Sequence, residues 1–166
     1  DTDGNESLDS PVDRNGDGKI QKREAEAVKV LNVFREDINS LEGIEYFINL
    51  EQLWCGRNQI KELDFSSNPK LRILYCNHNE LTKLNVSSNT KLEFIHAQAN
   101  LLTSIDVSNC TELEYLIVDD SAITSIDVSK NLKLKELHCS YNKLTDLDVS
   151  KNLKLKELDC SHNKLT

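Results

Sequence analysis

The sequence predicts a right-handed α/β solenoid. It is expected to have a parallel concave sheet of about seven short strands, 3₁₀ or extended segments on the convex side, and a loop-plus-helix cap at the N-terminal end. Three observations predict it. Asn58, Asn79, Asn100, Asn142 and Asn163 stand on a strict 21-residue spacing, with Ser121 in the one vacant place. Leucines and other apolar residues keep fixed offsets from each of them. A single twelve-residue stretch, DRNGDGKIQKRE from Asp13 to Glu24, precedes the repeats and carries side-chain oxygens at regular intervals. The cap is assigned to residues 1–27 and the repeats to 28–166.

The cap comes first in the chain. Asp13, Asn15, Asp17, the carbonyl of Lys19, Gln21 (directly or through a water) and Glu24 follow the ligand order of an EF-hand loop, with Gly18 at the sharp turn and Ile20 at the apolar eighth place. Hard oxygens at those offsets wrap one Ca²⁺. Glu24 falls in the first turn of a short helix expected over Lys22 to Val28, in KREAEAV. An entering helix is missing, because DTDGNESLDSP holds Pro11 and turn formers. Asp1, Asp3 and Asn5 start a second such loop, but Glu6 stands where glycine is needed and Val12 where the closing glutamate is needed. A calcium sensor needs a helix pair that opens, whereas a solenoid needs its terminal core covered. The ion is therefore expected to be structural. Three acidic ligands and no partner loop imply a modest affinity, on the order of 10⁻⁴ M, which suits an extracellular home.

The repeats follow. In LKLKELHCSYNKLTDLDVSKN the fixed positions are Leu134, Leu137, Cys139, Asn142, Leu144, Leu147 and Val149, and Leu71, Leu74, Cys76, Asn79, Leu81, Leu84 and Val86 match them one for one. Val28, Leu31, Val33, Ile38 and Leu41 extend the pattern backwards by 22 residues. One coil cannot bury its own apolar residues, so coils stack and their leucines form a continuous core. Each LxxLxC segment supplies a short strand, with its leucine inward and the residues beside it facing the concave side. Each asparagine then turns the chain and bonds backbone groups that no ladder satisfies.

The pattern LxxLxCxxNxLTxLDVSxN resembles the short, 21-residue class of leucine-rich repeats found in bacterial surface proteins. The resemblance covers residues 28–166, with six copies of the core between Leu50 and Asn163. The segment INSLEGIEYFINLEQLWCGRNQI is similar to internalin-type first repeats. The whole arrangement resembles secreted or surface proteins of Bacteroides-like bacteria. The resemblance implies an exported, non-enzymatic module that recognises a protein.

Two further columns are read as structural. Cys55, Cys76, Cys139 and Cys160 share a position with Ala97 and Val118, which marks a small inward apolar site. In-register strands about 4.8 Å apart do not suit the Cβ spacing of a disulfide, so thiols are expected there. Cys110 replaces the asparagine found at Asn68, Asn89, Asn131 and Asn152. Asp64, Asp106, Asp127 and Asp148, with Asn85 among them, precede serines by two residues and suit turn capping rather than a metal shell.

Several functions find no support. With 20 basic against 28 acidic residues, net −8, the chain lacks the clustered cations that nucleic acid requires. No apolar run approaches the roughly 20 residues needed for membrane insertion. His78, His96, His138 and His162 lie in two columns on separate coils. Neither HExxH nor GxSxG occurs, so no acid, base and nucleophile converge.

The concave face is where binding is expected. The residues flanking the inward leucine include Trp54, Ile73, Tyr75, Phe94, His96, Tyr115 and Ile117, after which the face changes to Glu136, His138, Glu157 and Asp159. A bordered aromatic patch suits a protein ligand, such as a host or bacterial surface protein. The alternatives are a spacer or stalk with no ligand of its own, and a glycan-binding module in which rings stack on sugars. The last coils are lysine-rich, which suits a solvated face. Thr166 falls within a repeat whose second half is missing. Either further repeats are expected beyond it, or that end docks, for instance end to end with a second copy.

Overall fold

A computed structural model describes residues 12–166, so the predicted degenerate loop at Asp1, Asp3 and Asn5 lies outside the described residues. Helix α1 (Lys22–Ala27) is followed by strand β1 (Val30–Asn32), a 3₁₀ turn (Ile44–Tyr46), β2 (Gln52–Trp54), β3 (Glu62–Asp64), β4 (Ile73–Tyr75) and β5 (Lys83–Asn85). Then come β6 (Phe94–His96), β7 (Tyr115–Ile117), β8 (Glu136–His138) and β9 (Glu157–Asp159). The helix ends one residue earlier than the sequence suggested, because Val28 is already extended and serves as its C-cap.

Seven strands form one parallel sheet in the order β1-β2-β4-β6-β7-β8-β9. Each pairs in register with the strand one coil on, so that Leu53, Leu74, Ile95, Leu116, Leu137 and Leu158 align. All of these but Leu158 are fully buried. A buried leucine contributes about 1.5–3 kcal/mol only while its neighbours cover it, which makes stacking, rather than any single coil, the source of stability. The convex side is mostly extended, as expected, with one addition: β3 and β5 pair into a second, two-stranded parallel sheet.

The asparagine ladder does what its spacing implies. Asn79 donates through Nδ2 to the carbonyls of Cys55 (3.0 Å) and Cys76 (3.1 Å) and accepts the Ile60 N–H (3.0 Å). Asn100, Asn142 and Asn163 repeat this between their own pairs of coils. The residue before each rung is left-handed: Arg57, His78, Ala99, Asp120, Tyr141 and His162 have φ of 52–55°. None is β-branched, the side-chain type that tolerates this region least.

A second ladder runs along the convex side. Asn68, Asn89, Asn131 and Asn152 are buried, and each Nδ2 donates to two carbonyls, as from Asn89 to Phe65 (3.1 Å) and Asn68 (2.8 Å). Cys110 takes the missing rung, with Sγ 3.7 Å from the Val86 carbonyl. All five cysteines are free thiols. Burial holds Cys76 well above the ordinary thiol range and pushes Cys55 and Cys110 up to about 12.

Candidate functional site: a concave ring strip and an oxygen-lined loop

Because side chains alternate across a strand, the first and third residues of each three-residue strand stand on the concave face while the middle one enters the core. The registers Gln52↔Ile73, Ile73↔Phe94 and Phe94↔Tyr115 form one column, and Trp54↔Tyr75, Tyr75↔His96 and His96↔Ile117 the other. All seven predicted binding residues therefore share one surface, and each is partly exposed. The rings form a chain. Trp54 stacks on Tyr75 at 6.0 Å between centroids and 13° between planes, Tyr75 tilts against Phe94 at 4.7 Å, and Phe94 against Tyr115 at 5.9 Å. His96 abuts Tyr75 and Phe94 edge-on and hydrogen-bonds Gln98 at 3.2 Å.

The strip crosses diagonally from the third position of β2 and β4 to the first position of β6 and β7. Beyond it, Lys135 lies 5.8 Å over the Tyr115 ring and is hydrogen-bonded to Glu114 at 2.6 Å. Lys133 pairs with Glu112 in the same way, so two of the lysines expected to be merely solvated reach back one coil. Along the flank of the sheet, Arg72 makes a two-point contact with Glu93, 3.0 Å at each nitrogen. Mutual contact restricts the rings without burying them, and rigid aromatic surface of this kind loses little entropy on binding.

The aspartate column is occupied by turn capping. Asp64, Asp106, Asp127 and Asp148 each accept from the N–H of the serine two residues on, at 2.8–2.9 Å, and those N–H groups hold the carboxyls below the usual range.

In the N-terminal loop, Gly16 and Gly18 adopt φ of 70° and 82°, wrapping the backbone around Asp13, which accepts from Gly16 N–H (2.8 Å) and Gly18 N–H (2.7 Å). The buried Glu24 carboxylate accepts from the N–H groups of Arg14, Asn15 and Gln21, which fastens loop to helix. The remaining predicted ligands converge: Gln21 Nε2 lies 2.7 Å from Asp17 Oδ2 and 3.2 Å from the Lys19 carbonyl, and Asn15 Nδ2 lies 2.8 Å from Gln21 Oε1. Amide nitrogens thus sit among the oxygens, and rotating the Asn15 and Gln21 amides would present oxygen in their place. With those two amides turned, the donor set would be hard oxygen with three carboxylates, a set that suits a Ca²⁺ ion.

The fold and the repeats together define a leucine-rich-repeat solenoid. A family profile described as leucine-rich repeats (2 copies) matches residues 48–90. Among solved structures the chain is similar to the functional domain of InlJ from Listeria monocytogenes, described as including a cysteine ladder. The identity is 30% and the TM-score 0.59, over 88% of this chain and 42% of that one. It is also similar to internalin C2 from Listeria monocytogenes (20% identity, TM-score 0.63, 89% of this chain and 77% of that one). A third similar structure is the APL1 leucine-rich-repeat domain (27%, TM-score 0.75, 82% and 38%). The chain therefore spans less than half of the InlJ and APL1 structures. The repeats and these likenesses make it internalin-like in architecture. Curated protein sequences give no match. Solenoids of this class are typically scaffolds for protein binding.

Proposed function

We propose that this chain is an exported or cell-surface, non-enzymatic recognition module that binds a protein through its concave face, with Ca²⁺ fastening the N-terminal cap. One observation carries the reading: Trp54, Tyr75, Phe94 and Tyr115 form an unbroken, partly exposed ring chain across four neighbouring strands. Tryptophan and tyrosine supply most of the binding energy at protein interfaces, and contiguous exposed apolar surface marks such interfaces. A spacer has no use for it. The calcium loop supports an extracellular setting, where millimolar ion fills a modest site, and the likeness to internalins agrees with that setting.

The test compares capture of surface proteins from bacterial and host cells by the immobilised chain and by its Trp54→Ala/Tyr75→Ala variant, with extracts treated beforehand by protease or by glycosidases. The expected result is a bound species lost with the double variant and with protease but not with glycosidases. Equal retention by both forms would make the chain a spacer. Loss on glycosidase treatment alone would make it a glycan reader.

A further inference from the structure

The strip ends where β8 and β9 begin, and there the chemistry changes. Glu136 and His138 occupy the two concave positions of β8, and Glu157 stands opposite Glu136 in the register with β9. One ligand atom from each of the three lies within 4.8 Å of the others. The His138 Nε2 atom is 3.3 Å from Glu157 Oε1. It is nevertheless shielded from solvent and makes no aligned hydrogen bond. The cluster thus offers one imidazole nitrogen and two carboxylates to a single cation.

We infer that Glu136, His138 and Glu157 form a binding site for a divalent transition-metal ion of the Zn²⁺ type on the concave face. Zinc takes imidazole nitrogen at about 2.0–2.1 Å and carboxylate oxygen at about 2.0–2.2 Å, which sets tetrahedral neighbours about 3.4 Å apart. The observed spread, within 4.8 Å, exceeds that distance by about 1.4 Å or less, a gap on the scale of side-chain rotation. The nitrogen ligand selects a transition ion over Ca²⁺ or Mg²⁺, which prefer oxygen alone. Asp159, across from His138, has one oxygen engaged by the Ser161 N–H at 3.0 Å and adds negative charge beside the site. Three protein ligands would leave a fourth position for water or a donor atom from a bound partner, and the aromatic strip is adjacent, since Tyr115 and Ile117 are the register neighbours of Glu136 and His138. The site stands independently of the partner proposed above.

Zinc titration of the full chain in excess Ca²⁺, read by competition with a chromogenic indicator, tests the inference. Saturable binding of one ion per chain is expected. Affinity should fall at least about tenfold in His138→Ala and in Glu157→Gln, and stay unchanged in His162→Ala, whose histidine lies off this face. Glu157 is largely exposed, so its substitution spares the fold. Absence of saturable zinc binding overturns the inference, as does binding that survives His138→Ala and Glu157→Gln or is lost in His162→Ala.

Discussion

Ser121→Asn should stabilise the chain, and the structure supplies the magnitude. In every other coil the ladder asparagine accepts a backbone N–H from the preceding coil: Asn79 from Ile60, Asn100 from Leu81, Asn142 from Ile123 and Asn163 from Leu144. The equivalent group beneath Ser121 is the N–H of Leu102, a fully buried residue, and it has no acceptor among the described residues. The Ser121 hydroxyl reaches the Asn100 carbonyl instead, at 3.4 Å. By the geometry of its neighbours, asparagine at 121 would accept from Leu102 N–H and donate to the carbonyls of Ala97 and Val118. Relieving a buried unpaired N–H returns about 1–3 kcal/mol, and each added bond nets about 1 kcal/mol. Ordering the longer side chain costs about 1 kcal/mol, leaving a gain of about 2–4 kcal/mol. At 166 residues that corresponds to roughly 4–16 °C in Tm. Thermal unfolding by circular dichroism at fixed Ca²⁺ measures it. A Tm unchanged or lowered by the substitution refutes the idea that these asparagines stabilise by satisfying interior N–H groups.

Calcium should raise Tm and chelation lower it, with Glu24→Gln abolishing the difference while Trp54 fluorescence at low temperature stays native. Ion-independent melting would show that the loop is a metal-free turn. The depressed carboxyls of Asp106, Asp127 and Asp148 stabilise the fold above the unfolded value of about 3.9, and that contribution is lost as pH falls through their lower folded values. Melting scans should therefore show Tm falling below about pH 4. The fall should be shallower when all three are asparagine, which caps the same turn at Asn85 without titrating. Toward a thiol reagent at neutral pH, the half-buried Cys160 should react first, and Cys55 and Cys76 only on unfolding. Rapid modification of Cys76 in the folded chain contradicts the burial described above.

The strands and the concave columns were legible because two periods coincide: alternation along a strand chooses the face, and the 21-residue repeat chooses the neighbour. Trp54 and Tyr75 could be placed side by side on that basis alone. Their stacking could not, since it depends on rotamers that the repeat does not encode. The left-handed column was hidden for another reason. Arg57, His78, Ala99, Asp120, Tyr141 and His162 are of five different residue types, and no glycine flags them. Asn68 and Asn89 were visible as a column, but their burial was not, because asparagine is ordinarily exposed. The second sheet depends on local charge. β3 and β5 pair where Asn85 donates to Asp64 (3.0 Å) and Lys83 meets Glu62 (3.3 Å). Later coils set Asp106, Asp127 and Asp148 in succession, and like charges directly across a pair oppose it.

Both ladders lose a rung around the same strand. Cys110 interrupts the convex ladder just before β7, and Ser121 interrupts the other just after it, so the β7 coil lacks the asparagine bonds that other coils make to the coil before them. In a solenoid, stability is close to a sum of nearest-neighbour terms, so weak rungs act locally. The seam falls between β6 and β7, inside the aromatic strip, because both rungs reach back one coil. Native-state hydrogen exchange should find lower opening free energies in β6 and β7, which flank the missing rungs, than in β4, where both ladders are complete, and Cys110→Asn/Ser121→Asn should remove the difference. Equal protection of β4, β6 and β7 in the unaltered chain would mean that leucine packing alone sets the stiffness. The aromatic strip would then owe nothing to the missing rungs beside it.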